Sequence, residues 1–176
     1  HFLPYGGKRL VGRAVSLARE LVPYADDTTT IRDLLIDFDL LPATDSKLTL
    51  TEVANAVLRA MDLAATKPAP SGIDYADMIF LPLRKGLLQP EYDLVVVDEA
   101  QDFTEPQLDM AMGVCDGGGR ICLVGDDRQG IYAFRGADTS SLDRMKRVMG
   151  AAELPLSETR RCPTVVVDMA REYVPD

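Results

Sequence analysis

The chain has 176 residues, 47% of them apolar, and a formal net charge of −9 at neutral pH. That length suits one domain, or one core with a small helical appendage, and the acidic balance excludes broad electrostatic binding of nucleic acid, which needs basic surface to displace counterions. No run approaches the ~20 apolar residues of a membrane span, and Cys115, Cys122 and Cys162 are spaced for neither a zinc site nor a disulfide framework, so a reducing cytoplasm is expected.

The opening His1-Phe2-Leu3-Pro4-Tyr5 lacks the basic-then-apolar order of a signal peptide, and the missing initiator Met suggests a fragment or a processed chain. Residues 8–21 then place Leu10, Val11, Ala14, Leu17, Ala18 and Leu21 at helical spacing, with Pro23 ending the pattern. A second, shorter helix is expected over 30–40, stopped by Pro42. Thr49-Leu50-Thr51-Glu52 forms a capping box that opens a third helix, whose stripe is Val53, Ala54, Val57, Leu58, Met61 and Ala64. These stripes are core packing and carry no chemistry.

Residues 66–72, with two prolines and a glycine, form a linker between a helical part (1–72) and an α/β part (73–176). Asp74 caps the next helix, with Asp77 in its first turn. Leu94 to Val97 is a short apolar run that suits a parallel strand buried on both faces. It breaks off into Asp98-Glu99-Ala100-Gln101-Asp102. In open α/β sheets ligands bind at the carboxyl ends of the strands. A carboxylate there can hold a hard divalent cation that bridges phosphates, and a second can orient or deprotonate an attacking water.

Thr104 is an N-cap, Gln107 completes a capping box, and Phe103 can staple onto Leu108. Asp116-Gly117-Gly118-Gly119 is expected as the turn out of that helix, before a second buried strand, Ile121-Cys122-Leu123-Val124, which ends at Gly125-Asp126-Asp127. A strand, helix, strand order with short links gives a parallel pair, so both acidic strand ends should share one sheet edge. A helix over 140–149 closes at Gly150, and Leu154-Pro155-Leu156 reads as a weak third strand. Pro163 suits the first turn of a last helix, with Val166, Met169, Ala170 and Tyr173 inward.

Three polar clusters thus follow apolar segments, and in this order they resemble motifs II, III and IV of the UvrD/Rep-type superfamily 1 DNA helicases. Asp98-Glu99-Ala100-Gln101-Asp102 resembles motif II, the Walker B element. Gly125-Asp126-Asp127-Arg128-Gln129-Gly130-Ile131-Tyr132-Ala133-Phe134-Arg135-Gly136-Ala137 resembles motif III, and the stretch 156–163, with Arg160 and Arg161, resembles motif IV. The resemblance covers 73–174. It implies a partial RecA-like (P-loop NTPase) α/β domain, motor domain 1A, over 73–176, preceded by a helical part akin to the inserted 1B subdomain over 1–72. It further implies ATP and Mg²⁺ as cofactors and single-stranded DNA as partner.

On that resemblance, Asp98 would hold Mg²⁺ and Glu99 would polarise the hydrolytic water. Gln129 would touch the γ-phosphate or that water through its amide, and Arg161 would neutralise γ-phosphate charge. Arg160 stands where the family usually has an aromatic that stacks on adenine; a guanidinium can stack too. Tyr132, Phe134 and Arg135 would grip unpaired bases, each stack being worth ~1–3 kcal/mol.

The sequence departs from the family at one decisive place. The phosphate-cradling loop G-x-x-x-x-G-K-[ST] is absent; Gly6-Gly7-Lys8-Arg9 is too short and ends in the wrong residue. The isolated chain is therefore expected to be inactive. Loss of the strand that carries this loop should leave open strand edges and exposed apolar surface, and with them self-association, pairing with a chain that supplies the missing strand, or local rearrangement. The rival reading is a non-catalytic, degenerate or split motor acting as a DNA- or protein-binding scaffold. A phosphoacceptor domain using Asp98 would leave Gln129, Arg161 and the motif III loop without a role.

Overall fold

The computed structural model describes residues 5–44, 46–66, 72–126, 129, 141–156 and 158–173. Four helices come first: α1 (Tyr5–Leu21), α2 (Thr28–Asp37), α3 (Leu50–Thr66) and α4 (Tyr75–Arg84). Three of them begin on polar caps that the sequence spells out. Asp27 accepts from the Thr30 N–H at 2.9 Å ahead of α2. Glu52 accepts from the Thr49 N–H at 2.8 Å while Thr49 Oγ1 accepts from the Glu52 N–H at 3.2 Å, the reciprocal box expected for α3. Asp74 and Asp77 make the same exchange at α4, at 2.8 and 3.3 Å.

The second helix starts earlier and stops sooner than the 30–40 span expected from sequence, and Pro42 does not stop it. Asp39 takes φ 50°. The Leu40 N–H then bonds back to Leu35 O at 2.8 Å and the Asp39 N–H to Ile36 O at 3.1 Å. This is a Schellman closure, with Leu40 and Leu35 both buried inside it.

Val11, Ala14 and Ala18 of α1, Ile31 and Leu35 of α2, and Val53, Val57 and Met61 of α3 form one apolar cluster, and Phe80 of α4 completes it. Phe80 thus packs α4 onto the helices before it, while the other side of α4 contacts α5; α4 follows the proline-glycine linker, whose residues 67–71 lie outside those described. Two arginines fix it there. Arg19 donates to Asp77 at 2.6 Å and to Asp74 at 2.8 Å. Arg84 reaches Ala25 O at 2.7 Å and Asp62 at 2.7 Å.

The α/β part contains two strands, β1 (Tyr92–Val97) and β2 (Cys115–Leu123), joined by a 3-10 turn (Ala100–Asp102) and α5 (Glu105–Val114). They pair in parallel, with Leu94 opposite Arg120, Val95 opposite Ile121, Val96 opposite Cys122 and Val97 opposite Leu123. The fold class is α/β, as the sequence implied. The 116–119 segment is not the expected turn: it belongs to β2, and the register shifts between Tyr92 and Leu94 to absorb it. Gly119 permits this, because a Cβ there would stand 2.9 Å from Tyr92 O and 2.8 Å from Cys115 Sγ.

One face of this sheet is covered. Val95, Val97 and Leu123 pack with Ala100, Leu108 and Ala111, and with Met145 and Leu142 of α6 (Ser141–Met149). The other face is open, contrary to the expectation of burial on both faces: Leu94 is 58% exposed and Val96 60%. An alternating pattern of burial replaces a uniform one because, among the described residues, helices pack on the side of Val95 and Val97 and not on the other.

Two further expectations fail downstream. Leu154-Pro155-Leu156 forms no strand, and both leucines are exposed. The last helix, α7 (Thr164–Tyr173), begins after Pro163 as expected, but none of its residues is buried, so Val166, Met169, Ala170 and Tyr173 do not face inward. No helix among the described residues is long and apolar enough to cross a membrane.

At the junction of the two parts, burial and then the nearby Glu105 carboxylate hold Asp109 of α5 above the usual carboxylate range, while the Tyr24 phenol beside it works the other way. A carboxyl whose folded pKa is raised contributes fully below its unfolded pKa and loses that contribution as pH rises through the folded one. Asp109→Asn, which keeps an acceptor for Tyr24, is thus expected to raise Tm by about 1–3 °C at pH 7. The gain should vanish near pH 3, and thermal scans at the two pH values check it.

Candidate functional site

The parallel register brings the carboxyl ends of β1 and β2 side by side. The ladder runs one step past the strands: the Val124 N–H bonds to Val97 O at 2.8 Å, and the Ala100 N–H to Val124 O at 2.9 Å. Asp98 and Glu99 leave β1 at this edge, and Gly125-Asp126 leave β2 beside them.

The chain turns sharply at Glu99, which takes the left-handed conformation (φ 52°, ψ 41°). A non-glycine residue held there costs of order 1–3 kcal/mol and such residues gather at functional sites. Asp98 Oδ1 accepts from the Glu99 N–H at 3.0 Å and steadies the turn. Both carboxylates are exposed.

A buried amide links Glu99 to the second strand end. Gln101 is 3% exposed. Its Nε2 donates to Glu99 Oε2 at 2.8 Å, and its Oε1 accepts from the Asp126 N–H at 3.0 Å. Asp126 Oδ2 in turn accepts from Gln129 Nε2 at 2.8 Å. Glu99, Gln101, Asp126 and Gln129 thus form one continuous chain of hydrogen bonds across the edge. Gly125 makes room for it: a Cβ there would lie 2.6 Å from Gln101 Oε1.

Of the residues singled out in the sequence, Asp98, Glu99 and Gln129 come together on this edge. Arg160 and Arg161 are exposed on the segment before α7, where the Arg161 N–H donates to Thr159 Oγ1 at 3.3 Å. Among the described residues no hydrogen bond or ion pair joins them to the edge. Tyr132, Phe134 and Arg135 lie outside the described residues. Gln101 and Gly125 are the members that sequence reasoning missed. Neither carries a local signal, since their contact spans two strand ends.

Among the described residues no group of three or more His, Cys, Asp or Glu side chains is arranged to hold a metal. The exposed Asp98 carboxylate offers an oxygen ligand of the kind that Mg²⁺ takes, and would hold that cation if it came in with a nucleotide. Two surface hollows, of about 350 and 400 Å³, lie elsewhere: one beside α1 and the end of α2, one between residues 21–30 and α5.

Fold and edge together describe an α/β domain whose carboxyl strand edge is acidic and internally braced. Comparison with known proteins supplies the family. The sequence profile of the UvrD/REP helicase N-terminal domain matches residues 32–149. The chain belongs to that family. It is 24% identical over 110 residues to DNA helicase II of Haemophilus influenzae, covering 58% of this chain and 15% of that protein. It is 25% identical over 143 residues to DNA helicase II of Rickettsia typhi, covering 76% and 21%, and 35% identical over 63 residues to the RecB component of the RecBCD enzyme of Mycolicibacterium smegmatis, covering 36% and 6%. The chain thus spans less than a quarter of the length of these curated relatives. No solved structure matches it.

Proposed function

We propose that this chain is part of the first motor domain of a superfamily 1 DNA helicase, one that couples MgATP hydrolysis to movement along single-stranded DNA in the cytoplasm. The observation that carries this reading is the hydrogen-bonded chain from Glu99 through Gln101 and Asp126 to Gln129, set at the carboxyl edge of two parallel strands. It joins a carboxylate suited to orienting water with an amide suited to sensing a terminal phosphate.

In this reading residues 73–176 contribute a partial RecA-like sheet and 1–72 a 1B-like helical part. Mg²⁺, when bound with ATP, supplies charge neutralisation on the phosphates. Asp98 holds that cation. Glu99 polarises the attacking water, and its fixed left-handed backbone keeps the carboxylate on the edge. Gln129 presents its amide to the γ-phosphate, Arg161 supplies positive charge there, and Arg160 stacks on the base. Tyr132, Phe134 and Arg135 stack on unpaired DNA bases close to Gln129, which couples hydrolysis to stepping. Alone the chain does not turn over ATP, because its sequence holds no phosphate-cradling loop.

The test is MgATP binding and turnover, with and without single-stranded DNA, on this chain and on a version joined upstream to a segment carrying that loop. DNA-stimulated turnover is expected only in the joined version, with a fall of at least about 100-fold on Glu99→Gln. A joined version that binds MgATP yet never hydrolyses it, with or without DNA, would overturn the motor assignment in favour of a non-catalytic scaffold.

A further inference from the structure

We propose that Asp126 is a positioning residue for hydrolysis: it selects which end of the Gln129 amide faces the γ-phosphate. This role rests on the motor reading. A carboxamide carries a donor end and an acceptor end on nearly the same outline. On an exposed side chain such as Gln129 the two ends exchange by rotation unless a partner selects one. An ionised phosphate oxygen only accepts, so an amide turned the wrong way sets its carbonyl oxygen against the anion and loses the contact.

Asp126 makes the selection. Its carboxylate, when ionised, can only accept, and Oδ2 takes the hydrogen bond from Gln129 Nε2 at 2.8 Å. The reversed amide would set two acceptors against each other. Nε2 has a second hydrogen to give a phosphate oxygen, and Oε1 can accept from a water O–H. The Gln129 N–H also bonds to Asp126 O at 2.9 Å, so side chain and backbone tie the two residues at two points. Asp126 is itself anchored to the strands. Its N–H donates to Oε1 of the buried Gln101 at 3.0 Å, and two residues earlier the Val124 N–H bonds to Val97 O at 2.8 Å. The edge thus repeats one device. Gln101 gives its Nε2 to Glu99 and Gln129 gives its Nε2 to Asp126, so a carboxylate orients each amide.

The test uses a motor that contains this chain. Asp126→Ala is expected to lower DNA-stimulated kcat at least about tenfold, with little change in KM for MgATP. Asp126→Asn, whose carbonyl can still accept from Nε2, should recover most of that loss. In a Gln129→Ala background Asp126→Ala should cost nothing further, because both changes remove the same oriented amide. In the 176-residue chain itself, nitrogen–proton correlation spectra should show the Gln129 side-chain amide moving to free-glutamine positions in Asp126→Ala. Given an active wild-type motor, three results would each overturn the proposal: Asp126→Ala as fast as wild type, Asp126→Asn no better than Asp126→Ala (the behaviour of a metal ligand), or a double variant slower than Gln129→Ala. So would an amide signal that Asp126→Ala leaves in place. A wild-type motor without DNA-stimulated turnover would instead overturn the motor reading, and the role of Asp126 in hydrolysis with it.

Discussion

Arg19→Met is expected to destabilise the chain by about 3 kcal/mol. The Arg19 side chain is only 12% exposed, Asp77 opposite it 11%, and Asp74 57%. Burial works against the charge on Arg19, but the hydrogen bonds and charges of Asp74 and Asp77 outweigh it and raise its pKa. Methionine fills much of the hydrocarbon volume, so the loss reports the charges rather than a cavity. It leaves Asp77 desolvated without a cation and beside a second carboxylate. Breaking a buried pair from one side costs about 3–5 kcal/mol. The lower end applies because Asp74 can rehydrate. Urea midpoints give the measurement, and adding Asp77→Asn to Arg19→Met should recover part of the loss. A single variant that loses under about 1 kcal/mol would show that the pair does not hold α4 in place.

The second large effect falls on Gln101. Gln101→Ala strips the Glu99 carboxylate of its amide donor and the Asp126 N–H of its acceptor. The groups left behind sit on exposed residues and can rehydrate, so the loss in stability should stay at about 1 kcal/mol. In the motor reading, residues that orient others at a metal–phosphate site typically cost about 10–100-fold in activity when lost. DNA-stimulated ATP turnover of a motor containing this chain should therefore fall by roughly that factor, while DNA binding at low salt persists. Gly125→Ala should produce the same loss from the opposite strand, since its Cβ would stand 2.6 Å from Gln101 Oε1 and push the carboxamide off both partners. Gln101→Glu should be worse than alanine, setting a like charge against Glu99. Turnover unchanged in all three would mean that the linked edge is only a structural brace.

What the sequence made legible here is local. The capping residues Thr49, Glu52, Asp74 and Asp77 announce their helices because the bonds close within three residues. The acidic edge was equally legible, since two apolar runs joined by one helix pair in parallel and bring their ends together. What failed was non-local. An apolar run such as 94–97 states that a strand wants cover on both faces, not whether the chain supplies it. The stripe on α7 states that a helix could bury Met169 and Tyr173, not what it would bury them against. The consecutive glycines before Arg120 read as a turn, because a bulge that needs Tyr92 O close to Gly119 is invisible without the partner strand. Gln101 was hidden for the same reason: its partner backbone lies 25 residues away.

The placement of α4 has a mechanical consequence. On one side it is locked to the preceding helices by Phe80, Arg19 and Arg84, and past its end the Glu91 N–H is already tied to Val114 O at 3.0 Å. The helix itself ends at Arg84, and the chain closes over its end as far as Leu87, whose N–H bonds to Pro82 O at 2.8 Å. Any swing of the helical group against the sheet must therefore part α4 from α5, on which it also packs, and lift Leu88 off Gly113.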